Sequence, residues 1–108
     1  MSEREYSIYV IRLDDSILEK KRFRDENPGY KKGMPCVYVG ETVKTPEERF
    51  LQHKKGEKSA KYVKNYGQEL MREEFERHNP MSSREDALEM EKKKSDELRG
   101  KGYAVWSN

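Results

Sequence analysis

Residues 6–13, YSIYVIRL, constrain this chain more than any other stretch. β-Branched and aromatic residues dominate it, and both alternating faces are apolar: Ile8 and Val10 on one, Tyr9, Ile11 and Leu13 on the other. A strand apolar on both faces belongs inside a sheet with cover above and below. Such cover is scarce here. Only 32% of the 108 residues are hydrophobic and 41% are charged, so the core must be small and drawn from a few short runs. That length suits one domain, residues 1–108.

A second short strand is predicted at CVYVG, residues 36–40, with Val37 and Val39 on one face and Tyr38 on the other. Residues 14–35 form a long polar excursion between the strands, punctuated by Asn27-Pro28-Gly29 and Pro35, with room for a helical turn near Ile17–Phe23. TPEERFLQHKKG, residues 45–56, reads as a capped helix. Thr45 is its N-cap, Pro46 takes the first helical position, Glu48 closes a capping box and Gly56 stops it. A short helix is expected at 59–67 and a third strand at 68–75; Asn79-Pro80 then breaks the chain. Ser82 with Glu85 is predicted to cap a last helix that runs to about Leu98 and stops at Gly100 and Gly102. Tyr103–Trp106 closes the chain as a short extended segment. The expected fold is α+β: a central three-stranded antiparallel sheet flanked by helices, in the order β-β-α-α-β-α, with room for a short C-terminal strand.

The single cysteine, Cys36, excludes an internal disulfide and fits a reducing compartment. The start, MSEREYS, has no apolar signal region and no run approaches membrane-spanning length, so a cytoplasmic protein without a membrane partner is expected. A net charge of +2 does not announce nucleic-acid binding. Its distribution says more: Lys44, Arg49, Lys54, Lys55, Lys58, Lys61 and Lys64 crowd the middle, and acids take over from Glu69 onward. These are either solvated helix faces or a basic surface for phosphates.

On the last helix Glu91 falls within roughly 60° of Ala87, Leu88, Ser95 and Leu98, the small and apolar stripe, whereas Glu89 and Glu97 point away. A buried carboxylate needs a cation, a donor network or a metal. It is therefore either half of a buried ion pair, or a metal ligand or acid/base group. Arg49 and His53, at i and i+4, share a helix face. They are either a polar flank or a phosphate-binding pair, the arginine by parallel hydrogen bonds and the histidine by bonding phosphate or relaying a proton. Tyr9 and Tyr38 are core tyrosines whose hydroxyls need partners, or site residues. A Cys36–His53 nucleophile pair lacks an identifiable third member, and His78 precedes a surface turn. The chain shows no glycine-rich phosphate loop and no paired-cysteine zinc site.

Taken in order, these residues resemble the GIY-YIG nuclease superfamily over roughly Tyr6 to Trp106. Ser7-Ile8-Tyr9 stands for GIY, Tyr38-Val39-Gly40 for YIG, Arg49 and His53 for the arginine and histidine of the first helix, and Glu91 for the later metal-binding glutamate. Serine replaces the first glycine, the excursion between the motifs is longer than in most members, and a late asparagine has only Asn108 as a counterpart. The resemblance implies a single-metal phosphodiester hydrolase acting on nucleic acid, DNA first. Glu91 would hold one Mg²⁺ or Mn²⁺. Arg49 would balance charge on the pentavalent phosphate, and Tyr9, helped by His53 or a cation, would take a proton from attacking water. Tyr38 would position phosphate or water, and Lys44, Lys54 and Lys55 would track the backbone. It also implies that Tyr9, Tyr38, Arg49, His53 and Glu91 converge on one concave surface. Two alternatives stand beside it: an inactive nucleic-acid-binding module on the same scaffold, and an interaction protein in which these residues serve only the fold. Specificity is expected from loops such as 14–35, from a homodimer or from a partner protein.

Overall fold

Every side chain of the first strand except Arg12 is buried, and that strand sits between two neighbours, as its two apolar faces demand. The computed structural model describes residues 4–57 and 59–107; Lys58 and Asn108 lie outside them. Strand β1 (Ser7–Leu13) pairs antiparallel with β2 (Cys36–Thr42) along its whole length. The register sets Tyr9 opposite Gly40, Val10 opposite Val39 and Ile11 opposite Tyr38. On the other side β1 meets the short β3 (Gly67–Leu70), also antiparallel, through Ile11–Leu13.

The sheet has four strands in the order β3-β1-β2-β4 and is mixed, which corrects the expected three-stranded antiparallel sheet. Strand β4 (Ala104–Ser107) runs parallel to β2, with Val105 beside Val37 and Trp106 beside Tyr38. The reason lies in helix α4 (Arg84–Gly100), long enough to carry the chain back across the sheet so that β4 runs in the same direction as β3. The tail thereby covers the edge that β2 would otherwise expose.

The excursion is also ordered. A 3₁₀ turn over Asp15–Glu19 buries Ile17, and the short helix α1 (Lys21–Asp25) buries Phe23, whose ring stacks on Trp106 of β4 at 6.4 Å. Buried Asn27 then acts as a substitute strand. Its Oδ1 accepts the Val105 N–H at 2.7 Å, and its Nδ2 donates to the Val105 carbonyl at 3.1 Å. Asn79 does the same for β1, accepting the Ile8 N–H at 2.9 Å and donating to the Ile8 carbonyl at 2.8 Å. Both asparagines seal a strand edge where no strand follows. Asn27→Ala is expected to cost about 1–3 kcal/mol, because it strands the Val105 N–H while the Val105 carbonyl keeps the Arg99 guanidinium; the shift of the urea midpoint measures it.

Helix α2 (Pro46–Lys55) has the predicted ends: the Thr45–Glu48 capping box, Pro46, and Gly56 at φ 82. Three other boundaries move. Ser83, not Ser82, caps α4 by accepting from the Asp86 N–H, since Ser-Ser followed by Glu-Asp offers the same spacing twice. The helix expected at 59–67 contracts to α3 (Val63–Tyr66). Tyr62 takes a left-handed φ of 77 there, and its ring packs edge-on against Trp106 at 5.0 Å and Phe23 at 6.2 Å. The strand expected at 68–75 ends at Leu70, where two 3₁₀ turns begin to carry the chain past buried Phe75.

Candidate functional site

Alternation along β1 and β2 turns Tyr9, Tyr38 and the bare Gly40 to one face of the sheet. Helix α2 covers this face and brings His53 against both rings. The centroids lie 5.9 Å apart for Tyr9 and Tyr38, 5.9 Å for Tyr9 and His53, and 5.6 Å for Tyr38 and His53. All these side chains are buried, with Tyr9 only 1% exposed.

The hydrogen bonds assign the proton on His53. The backbone N–H of Ala60 donates to Nδ1 at 3.1 Å, so Nδ1 carries no hydrogen and Nε2 does. Nε2 lies 2.9 Å from the Tyr9 hydroxyl and therefore donates to it. Burial, then the charge of Arg49, pushes the His53 pKa down to about 4, so the ring is neutral at physiological pH. Tyr9 is held well above its ordinary pKa by burial and then by Tyr38, with Arg49 opposing. A Tyr9 phenolate would thus find a histidine N–H and a guanidinium beside it, but only against a large desolvation cost.

Arg49 is half-buried, and its Nη1 donates to the Gln52 side chain at 3.2 Å. It lines an open depression of about 440 Å³ with Thr42, Val43, Lys44, Gln52 and Glu57. Lys44 and Lys55 are exposed, as a phosphate-tracking role requires. Lys54 departs from that role. Its ammonium donates to the carbonyls of Gly67 at 2.7 Å and Lys64 at 3.1 Å, tying α2 to β3.

Glu91 departs from the expected convergence. Glu41 alternates with Gly40 and so faces the other side of the sheet, where Arg84 of α4 pairs with it at 3.4 Å. Helix α4 therefore covers the face opposite the rings, and Glu91 belongs to that layer. Its burial follows the helix-face argument: it is 7% exposed, and Oε2 is buried without a hydrogen-bond partner among the described residues. Burial, then the charge of Glu41, raises its pKa to about 7. The buried ion pair on this helix is made instead by Lys94, to Glu97 at 2.7 Å and Glu74 at 3.7 Å. Lys94 and Glu41 were missed by sequence reasoning. For Lys94 the signal was its place on the same stripe as Glu91 and its i, i+3 spacing to Glu97.

The Cys36–His53 pair does not form, because both ring nitrogens of His53 are engaged by Tyr9 and Ala60. Burial pushes the Cys36 thiol up to about 11, away from nucleophilic use. Among the described residues no three His, Cys, Asp or Glu side chains gather as a metal cage. A hard cation held by one or two carboxylates, water and phosphate needs none, and the unpartnered Oε2 of Glu91 fits that donor chemistry. Among the described residues no helix is long and apolar enough to cross a membrane.

No family model, curated protein or solved structure matches this chain. Its chemistry therefore rests on the residues above.

Gly40 is the tightest point of the ring cluster. A Cβ there would stand 2.6 Å from Cζ and Oη of Tyr9 and 2.8 Å from Cε2 of Tyr38. Gly40→Ala is expected to cost about 1–3 kcal/mol and to push Tyr9 off His53. The His53 pKa, followed by NMR titration, should then rise from about 4 toward its ordinary 6.5.

Proposed function

We propose that the protein is a GIY-YIG-type endonuclease that hydrolyses phosphodiester bonds in nucleic acid, DNA first, with one divalent cation, Mg²⁺ or Mn²⁺. The observation that carries the reading is the Tyr9–His53 hydrogen bond, with Arg49 close enough to influence both pKa values. The reacting phosphate lies at the Arg49 depression, where the guanidinium offsets charge gathering on the phosphate oxygens. Tyr9 accepts the proton of the attacking water as the phenolate, its own proton having first passed to solvent, and the His53 Nε2–H and the Arg49 guanidinium stabilise that phenolate until the incoming proton neutralises it. Tyr38 supports the Tyr9 ring, and Lys44 and Lys55 hold the flanking backbone. Glu91 would hold the cation, which when bound would supply charge neutralisation to phosphate oxygens.

The test is incubation of purified protein with labelled single- and double-stranded DNA and RNA in Mg²⁺, Mn²⁺ or chelator. Metal-dependent cleavage is expected; no cleavage of any substrate in either metal overturns the reading. One feature favours a second reading, a nucleic-acid-binding module without turnover: the rings are buried on one face while Glu91 belongs to the layer on the other. That reading predicts salt-sensitive binding at the Lys44–Arg49 surface with no cleavage in any metal.

A further inference from the structure

We infer that the outer edge of β3, with the apolar groove beside it, docks an extended segment of another protein that carries an apolar residue followed by a lysine or arginine. At other points the chain seals its own sheet edges. Strand β4 covers β2, Asn27 covers β4 at Val105, Asn79 covers β1 at Ile8, and Lys54 donates to the Gly67 carbonyl where β3 begins. At Leu70 the sealing stops. The Met71 N–H donates to the Val10 carbonyl, so Val10 and Met71 form a hydrogen-bonded pair and the next pair, Ile11 and Leu70, does not. The N–H and C=O of Leu70 therefore point away from β1, toward an edge that no strand covers among the described residues.

A groove of about 450 Å³ lies along that edge, between β3 and α2. Gln68, Glu69 and Leu70 all line it, although alternation sends successive side chains to different faces, so the groove reaches the strand's backbone. Its apolar wall is Leu70 with Phe50 and Leu51 of α2, and Leu51 is 58% exposed. The register specifies what fits. An added antiparallel strand sets one residue opposite Leu70 on the α2 face, where an apolar side chain packs on Leu51 and Phe50. Its next residue falls opposite Glu69, on the other face. Glu69 is exposed and has no ion-pair partner among the described residues, whereas the groove's other acid, Glu47, is taken by Arg72. The unneutralised carboxylate selects a lysine or arginine at that place. A second copy of β3 supplies none: centred on Leu70 it sets Met71 opposite Glu69, and centred on Glu69 it sets two glutamates face to face. Leu51 lies two residues from Arg49, roughly 160° around α2, so the occupant leaves the Arg49 depression open.

The probes are short fluorescein-labelled peptides of alternating valine and lysine, serine and lysine, or valine and glutamate, titrated with the full chain and read by anisotropy. The valine–lysine peptide should bind in the micromolar range and the other two about tenfold more weakly. N-methylation of its backbone, which blocks strand pairing, should also weaken binding about tenfold. Leu51→Asp, at an exposed side chain, should cost about tenfold, and Glu69→Gln about threefold. Circular dichroism confirms that each variant is folded. No binding of the valine–lysine peptide, equal binding of the serine–lysine or the N-methylated peptide, or unchanged affinity in Leu51→Asp overturns the inference. Sedimentation velocity covers the remaining occupant: self-association of wild type that Leu51→Asp abolishes would put a second copy in the groove and overturn it too. None of these readings depends on turnover, so the inference and the nuclease reading fail separately.

Discussion

Glu91→Gln is expected to make the protein more stable, by roughly 3 kcal/mol at pH 8 and by almost nothing at pH 4, when measured in chelator. Burial and the neighbouring Glu41 raise the Glu91 pKa from 4.5 to about 7. A carboxyl with a raised folded pKa keeps its proton longer in the folded state. Stability therefore falls as pH rises from 4.5 to 7 and levels off above. Each unit of difference is worth about 1.4 kcal/mol. Glutamine keeps the shape and removes the ionisation, so the penalty disappears where it was largest.

His53 slopes the other way. Its folded pKa of about 4 lies below the ordinary 6.5, so its contribution is full above pH 6.5 and is lost as pH falls toward 4. The two effects oppose each other between about pH 4.5 and 6.5, so the pH dependence of wild type should be shallower there than that of Glu91→Gln. In Glu91→Gln the opposing carboxyl slope is gone, and stability should fall as pH drops through that window, with the lowered pKa of His78 adding to the effect of His53. Urea unfolding at a series of pH values reads both. A variant less stable than wild type at pH 8 would show that Glu91 is ion-paired in solution.

What was legible in the chain was local. The two-faced apolar pattern of Ser7–Leu13 placed β1 between neighbours, and the Thr45–Glu48 box with Gly56 fixed both ends of α2. Helical spacing was enough to bury Glu91 and to set Arg49 and His53 on one face. The misses were contacts between distant residues. Asn27 and Asn79 stand before prolines and read as breakers, yet each pairs with a strand 78 or 71 residues away. The parallel course of β4 depended on which edge α4 would reach, which no local pattern encodes. Tyr62 left its helix for an aromatic cluster built from Phe23 and Trp106. The layer that Glu91 would occupy followed from the same topology, so its helix face was readable and its distance from the tyrosines was not.

Arg49→Ala is expected to lower single-turnover cleavage by about 10²–10³-fold, the usual loss when one preorganised charge donor is taken from a developing oxyanion. The fold should tolerate the change: the side chain is half-buried, and the Gln52 side chain it bonds at 3.2 Å lies on the same helix. Arg49→Lys keeps the charge without the planar fork and should recover only part of the rate. Removing this guanidinium should also raise the His53 pKa, since its charge is one of the causes that hold it down. An NMR titration of His53 shows that shift whether or not the protein turns over.

The central claim is tested most directly by single-turnover cleavage of a labelled DNA duplex in Mg²⁺ at pH 8, comparing wild type, Arg49→Ala and Glu91→Gln. The prediction is cleavage by wild type, a loss of about 10²–10³-fold in Arg49→Ala, and no detectable cleavage in Glu91→Gln despite its greater stability. Cleavage by either folded variant at the wild-type rate would contradict it.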